Sequence, residues 1–148
     1  MGISKFEKYD DQRKSQDGNA VQKKKYDLEG RSERFSIRIR DFCLRLKRDT
    51  INVEYIRQLV RSGASVAGNY LEANENLGEG DLKYRIKVCR KESKESKLWL
   101  KHVLTYENTL LENERKEFIL EAFELENIFG AILKKLIWKE ELKKKPNT

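Results

Sequence analysis

The sequence has little of what interrupts helices or builds reactive centres. Its 148 residues include one Pro, at position 146, one His, at 102, and two Cys, at 43 and 89. Proline removes a backbone donor and clashes inside a helix, so nothing from residue 1 to 145 forbids long uninterrupted helices. One histidine and two cysteines outside any CxxC spacing cannot complete a four-ligand zinc site, so no metal is expected. No acid or nucleophile stands at informative spacing around His102, which leaves a hydrolytic triad or dyad without support. Small helical ribonucleases of the HEPN type separate an Arg from the His by four to six residues, but positions 95 to 97 are Glu, Ser and Lys. Gly78 and Gly80 lack the GK[ST] that completes a phosphate-binding loop. The expectation is a protein with no catalytic residues and no cofactor. Long apolar runs are missing too: Lys5, Glu7, Lys8, Asp10 and Asp11 open the chain, so neither a signal peptide nor a membrane span is expected, and the cytoplasm is the expected compartment.

Charge is abundant. Charged residues make up 39% and hydrophobic residues 38%, a balance tilted toward long amphipathic helices with crowded polar faces. The 32 basic residues outnumber the 25 acidic ones, for a net charge of +7, so an anionic partner is plausible if the positive charge is gathered in one place. The length suits one domain. Residues 1–25 carry only scattered apolar side chains (Ile3, Phe6, Tyr9, Val21), too little burial to offset the entropy of ordering, and read as a disordered tail. Residues 143–148 read as a second, basic tail, which leaves 26–142 for the folded domain.

Four segments within that domain repeat apolar residues at the helical period. The first runs from Ser32, as N-cap, to Arg48, with Phe35, Ile39, Phe42 and Leu46 on one face. The second carries Ile56, Leu59, Val60, Gly63, Val66, Ala67, Tyr70, Ala73 and Leu77, and ends at Gly78-Glu79-Gly80. The third, capped by Asp81, spans about 81 to 107 with Leu82, Ile86, Cys89, Ser93, Ser96, Leu100 and Val103 in register. Thr109 and Glu112 have capping-box spacing and open the fourth, whose Phe118, Ala122, Leu125, Phe129, Ile132 and Leu136 continue to Leu142. Short loops between long helices predict an all-α fold, an antiparallel up-and-down four-helix bundle. Small residues at mid-helix positions, Gly63 and Ala67 against Ser93 and Ser96, predict a close approach of the second and third helices.

Two further patterns exceed what a plain bundle needs. At about 100° per residue, Gln58, Ser62, Ser65, Asn69, Glu72 and Asn76 share one strip of the second helix, with Arg61 at its edge. Small and amide side chains in place of Lys and Glu suit a packed polar contact. On the third helix Lys83, Lys87, Arg90, Lys94, Lys97 and Lys101 share another strip, about 27 Å long, with no acid of that helix on it. Like charges at helical spacing repel unless an anion compensates them, and a phosphate backbone is the natural compensating anion. Arg31, Arg34, Arg38 and Arg45 of the first helix add positive charge, broken by Asp41. Glu92 and Glu95 lie off the basic strip, where Arg61 could reach them.

The stretch Gln58-Leu59-Val60-Arg61-Ser62-Gly63-Ala64-Ser65-Val66-Ala67-Gly68-Asn69-Tyr70-Leu71-Glu72-Ala73 closely resembles the QLLRSGTSIGANYREA-like segment of a bacterial four-helix-bundle family. That family includes proteins encoded in intervening sequences of 23S rRNA genes. Lys91-Glu92-Ser93-Lys94-Glu95-Ser96-Lys97-Leu98-Trp99-Leu100 is similar to its KEAxETxYWL stretch, and Tyr26-Asp27-Leu28-Glu29 is also similar. The resemblance covers about 26 to 142. Leu71 stands where many members carry Arg, and Ala67-Gly68 reverses the usual Gly-Ala order. The resemblance implies a four-helix bundle assembled into a homopentameric ring. A related protein, the accessory variability determinant of diversity-generating retroelements, binds nucleic acid and a reverse transcriptase through a positively charged barrel. By matching position, Arg61, Ser62, Ser65, Asn69, Glu72, Glu92, Glu95 and Trp99 are the motif residues, and the resemblance implies an assembly role for them and for Gln58.

The function expected is therefore a non-catalytic homo-oligomeric accessory protein that binds RNA or DNA backbone through the basic strip and Arg34, Arg38 and Arg45. The alternative is a structural or adaptor oligomer that docks an acidic protein surface without binding nucleic acid.

Overall fold

In the computed structural model the described residues are 27–75 and 77–146, and they are all-α: four helices and no strand. The helices are α1 (Leu28–Leu44), α2 (Asn52–Ala73), α3 (Glu79–His102) and α4 (Thr109–Lys144). The expected amino-terminal tail, and Asn76 of the polar strip, lie outside the described residues.

Each boundary has a local cause, and several differ from the sequence expectation. Helix α1 begins at Leu28, not beside Ser32, because Asp27 caps it: its carboxylate accepts from the Gly30 amide at 2.9 Å. A Cβ at Gly30 would collide with that carboxylate, so the glycine is what admits the cap. Ser32 is instead buried in the helix, donating to the Leu28 carbonyl at 2.7 Å. Asp49 receives the amides of Ile51 and Asn52 and starts α2. That helix stops at Ala73, before the Gly78-Glu79-Gly80 break. Gly78 sits at φ 120°, a conformation that L side chains rarely adopt, and begins α3. Asp81 is not the cap; it lies in the first turn, where it meets Arg85 at 3.5 Å. The cap of α4 is Asn108, which accepts from the Leu111 amide at 3.1 Å, while Glu112 turns back to Thr105 and Arg115. At the far end α4 runs through Lys143 and Lys144, residues assigned to a tail by composition. Cations suit a helix C-terminus, and Lys143 reaches Glu79 of α3 at 2.5 Å.

One apolar core joins the four helices. Phe35, Ile39 and Phe42 of α1, Leu59 and Val66 of α2, Ile86 and Leu100 of α3, and Phe118, Leu125 and Phe129 of α4 are each at most 2% exposed. Phe42 and Phe118 meet edge to face at 5.3 Å. Helix α2 is buried on two sides. Toward α1, Gly63 leaves room for Ile39, whose Cγ2 would lie 3.3 Å from a Cβ at that position. Toward α3, the fully buried Ser62 and Ser96 hydroxyls meet at 2.9 Å, and Cys89 Sγ lies 3.6 Å from the Val66 carbonyl. The close approach of α2 and α3 is thus made by Ser62 rather than by Gly63, which serves α1.

Candidate interaction surfaces

The polar strip of α2 lies at the seam with α3. Arg61 Nη2 donates to Glu95 at 2.8 Å, and its Nη1 lies 3.5 Å from both oxygens of Glu92, a carboxylate only 4% exposed. Lys91 stands 3.7 Å from Glu95, and the Gln58 carbonyl accepts from Arg61 Nε at 3.3 Å. The Glu95 hydrogen bond, reinforced by the charges of Glu92 and Glu95, holds Arg61 above its ordinary pKa against the opposing effect of burial. Further along, Asn69 donates to the Ser65 carbonyl and hydroxyl and accepts from Arg85 at 3.0 Å. Gln58, Arg61, Ser62, Ser65, Asn69, Glu92 and Glu95 therefore bond to one another or to α3 within a single protomer. Glu72 remains exposed. Trp99 stacks near Tyr55 at 6.2 Å and beside His102 at 5.8 Å, and its buried indole N–H has no hydrogen-bond partner among the described residues. His102 is exposed, with Nδ1 at 2.8 Å from the Leu98 carbonyl.

Helix α4 supplies the acids that sequence reasoning left out. The basic strip of α3 runs along its seam with α4, where Lys83 pairs with Glu140 and Lys97 with Glu126, each at 2.7 Å. The hydrogen bond and charge of Lys83 hold the Glu140 carboxyl below the usual carboxylate range. Lys87, Arg90, Lys94 and Lys101 are exposed and make no ion pair to a described residue. The α1 arginines are mostly zipped to α4: Arg31 to Glu121 and Glu124 at 2.7 and 2.5 Å, Arg38 to Glu117 at 3.6 Å, Arg45 to Glu114 at 2.7 Å. Arg34 is half-buried with its guanidinium folded over Gly30. The positive charge of α1 is largely matched inside the fold, whereas four cations of α3 are not.

The outer side of α4 carries several exposed apolar side chains among its charged ones. At about 100° per residue Leu120, Trp138 and Leu142 lie roughly opposite the buried Ala122 and Phe129, with Phe123 at the edge of that face. Trp138 is 60% exposed and Leu120 64%. The pattern was readable in the sequence, because these residues continue the fourth segment out of phase with its core positions.

Cys43 and Cys89 are free and buried, and burial pushes both thiols up to about 12. Among the described residues no three His, Cys, Asp or Glu side chains are placed to hold a metal, and no helix is long and apolar enough to cross a membrane. No family model, curated protein or solved structure matches the chain.

Proposed function

We propose that the protein is a non-catalytic, cytoplasmic, homo-oligomeric accessory protein that binds RNA or DNA by its phosphate backbone. The observation that carries this reading is the selective pairing of its cations. Arg31, Arg38 and Arg45 and the Lys83 and Lys97 rungs of α3 are met by acids of α4, while Lys87, Arg90, Lys94 and Lys101 line one exposed strip with no ion pair to a described residue. Lysine is a point charge with little geometric preference, so contact with backbone rather than with base edges suits the strip.

The bundle is read as antiparallel and up-and-down. Residue pairs support this: Asn52 meets Leu104, Ser62 meets Ser96 and Asn69 meets Arg85, so α2 ascends as α3 descends. Likewise Lys97 meets Glu126 and Lys83 meets Glu140 between α3 and α4. A ring of five subunits follows from the resemblance to the 23S rRNA intervening-sequence proteins, and so does a protein partner such as a reverse transcriptase. The exposed rim of the α2–α3 network and the exposed Leu120, Phe123 and Trp138 of α4 are the surfaces available for assembly.

Fluorescence anisotropy with a labelled structured RNA and a duplex DNA, at two salt concentrations and with solution mass recorded, tests the reading. Four neutralised phosphates per protomer give a log–log salt slope of about −3.6 for duplex (4 × −0.9) and about −2.8 for single strands. Lys87→Glu, Lys94→Glu and Lys101→Glu together abolish binding while the helical signal is retained. Absence of binding at low salt favours the second reading, an adaptor that docks an acidic protein surface, which the exposed Lys87, Lys94 and Lys101 would serve equally well.

A further inference from the structure

The α3–α4 seam is built as a ladder of charge with one rung unfilled. Lys83, Arg90 and Lys97 of α3 stand seven residues apart, and so do Glu140, Leu133 and Glu126 of α4. Lys83–Glu140 and Lys97–Glu126 close at 2.7 Å. By the same register the middle cation, Arg90, falls opposite Leu133, which is 8% exposed and offers no charge. Next to Arg90 stands Gly130, where a Cβ would lie 3.6 Å from Arg90 Nε, so the missing side chain leaves a groove in front of the guanidinium. That groove has a volume of about 400 Å³ and is lined by Arg90, Asn127, Gly130, Lys134 and Ile137. Lys134 is a second exposed cation with no ion pair to a described residue, and Asn127 adds an amide donor. The one acid on the rim, Glu126, already holds Lys97.

We infer that this groove is an anion site for a phosphate group, which takes the place of the missing carboxylate opposite Arg90. A guanidinium presents a planar fork of donors that matches phosphate oxygens two at a time, and Lys134 supplies a second charge from the other helix. Leu133 and Ile137 supply the apolar part of the groove wall beside the guanidinium. The inference rests in part on the nucleic-acid reading: within it the occupant is one backbone phosphodiester, seated at the centre of the basic strip between Lys87 and Lys94. A free phosphorylated compound carries the same group, and the two sources separate in the test.

The site is tested with two probes on the full chain. The first is inorganic phosphate, titrated while the methyl resonances of Ile137 are followed by NMR. Saturable shifts at Ile137 that vanish in Gly130→Glu, which places a carboxylate in the groove, support the site; Gly130→Ala, which adds no charge and suits a helix better than glycine, separates charge from folding effects. Shifts that do not saturate, or that persist in Gly130→Glu, overturn it. The second probe is the labelled RNA and duplex DNA. Arg90→Gln is expected to weaken binding about tenfold and to reduce the salt slope by about 0.9 on duplex, while Lys83→Gln, with the same change in net charge and with its partner Glu140 outside the groove, moves affinity less than threefold. Equal losses for Arg90→Gln and Lys83→Gln overturn the privileged role of the middle rung even when nucleic acid binds. Phosphate binding in the groove with no nucleic-acid binding keeps the site, assigns it to a free phosphate compound, and removes the nucleic-acid reading alone.

Discussion

Asn52 holds Leu104 by both ends of its amide: Oδ1 accepts from the Leu104 N–H at 2.8 Å and Nδ2 donates to the Leu104 carbonyl at 3.1 Å. The same Nδ2 donates to the Lys47 carbonyl at 2.7 Å, and the side chain is fully buried. One residue at the start of α2 thereby satisfies backbone groups of the α1–α2 and α3–α4 connections, which have no helical partner of their own. Asn52→Ala leaves these part-buried groups without their protein partner, and a loss of about 1 to 3 kcal/mol is expected from urea unfolding. A loss below about 0.5 kcal/mol would show that the two connections do not depend on this clamp.

Ser62 and Ser96 form a second buried pair, and their variants separate burial from bonding. Ser62→Ala strands the Ser96 hydroxyl, which donates to it, whereas Ser96→Ala leaves the Ser62 hydroxyl still donating to the Leu59 carbonyl at 3.1 Å. Each single change is expected to cost about 1 kcal/mol, with the double change costing less than the sum by about 0.5 to 1 kcal/mol. Additive losses in a double-mutant cycle would mean that the hydroxyls do not interact.

Acid should loosen the entry to α4. The Thr105 hydroxyl and the Arg115 guanidinium, in that order, hold the Glu112 carboxyl below its ordinary value of 4.5. A carboxylate whose folded pKa is lowered stabilises the fold above its unfolded value, and that contribution disappears as pH falls through the lower, folded one. Stability measured between pH 7 and pH 3 is expected to fall less steeply below 4.5 in Glu112→Gln than in the parent. Parallel pH profiles for the two proteins would remove Glu112 from the acid response.

The two thiols offer the cheapest check of the core. Cys43 and Cys89 are buried, with both pKa values pushed to about 12, so at pH 8 a thiol reagent should label neither until denaturant is added. Immediate labelling of one cysteine in the native protein would place it at the surface.

Much of the fold follows from period and punctuation, because Phe35, Ile39, Leu59, Leu100, Phe118 and Phe129 each recur on one face of their own helix. Pairing between helices does not follow in the same way. The basic strip of α3 reads as uncompensated because its own helix puts no acid there, yet Glu126 and Glu140 come from another helix whose register only packing sets. The strip that holds Ser62 similarly reads as a packed polar contact without naming its neighbour, because only packing sets α2 between α1 and α3, where it is buried on both sides. At the start of α1, Asp27 and Ser32 are both capping types; Gly30, which alone admits the Asp27 carboxylate, decides between them.

Most of the packing described joins helices consecutive in the chain: Gly63 to Ile39, Ser62 to Ser96, Lys97 to Glu126. Nearby contacts of this sort require little loop closure before they form, and chains dominated by them reach the native state in microseconds to milliseconds. Each pair of consecutive helices can form as soon as its second member leaves the ribosome. Helix α4 comes last of the four, and its acids, closing onto Arg31, Arg38 and Arg45, complete the fold, so a chain truncated before α4 would display three mismatched arginines and an open apolar face to the cell's proteases.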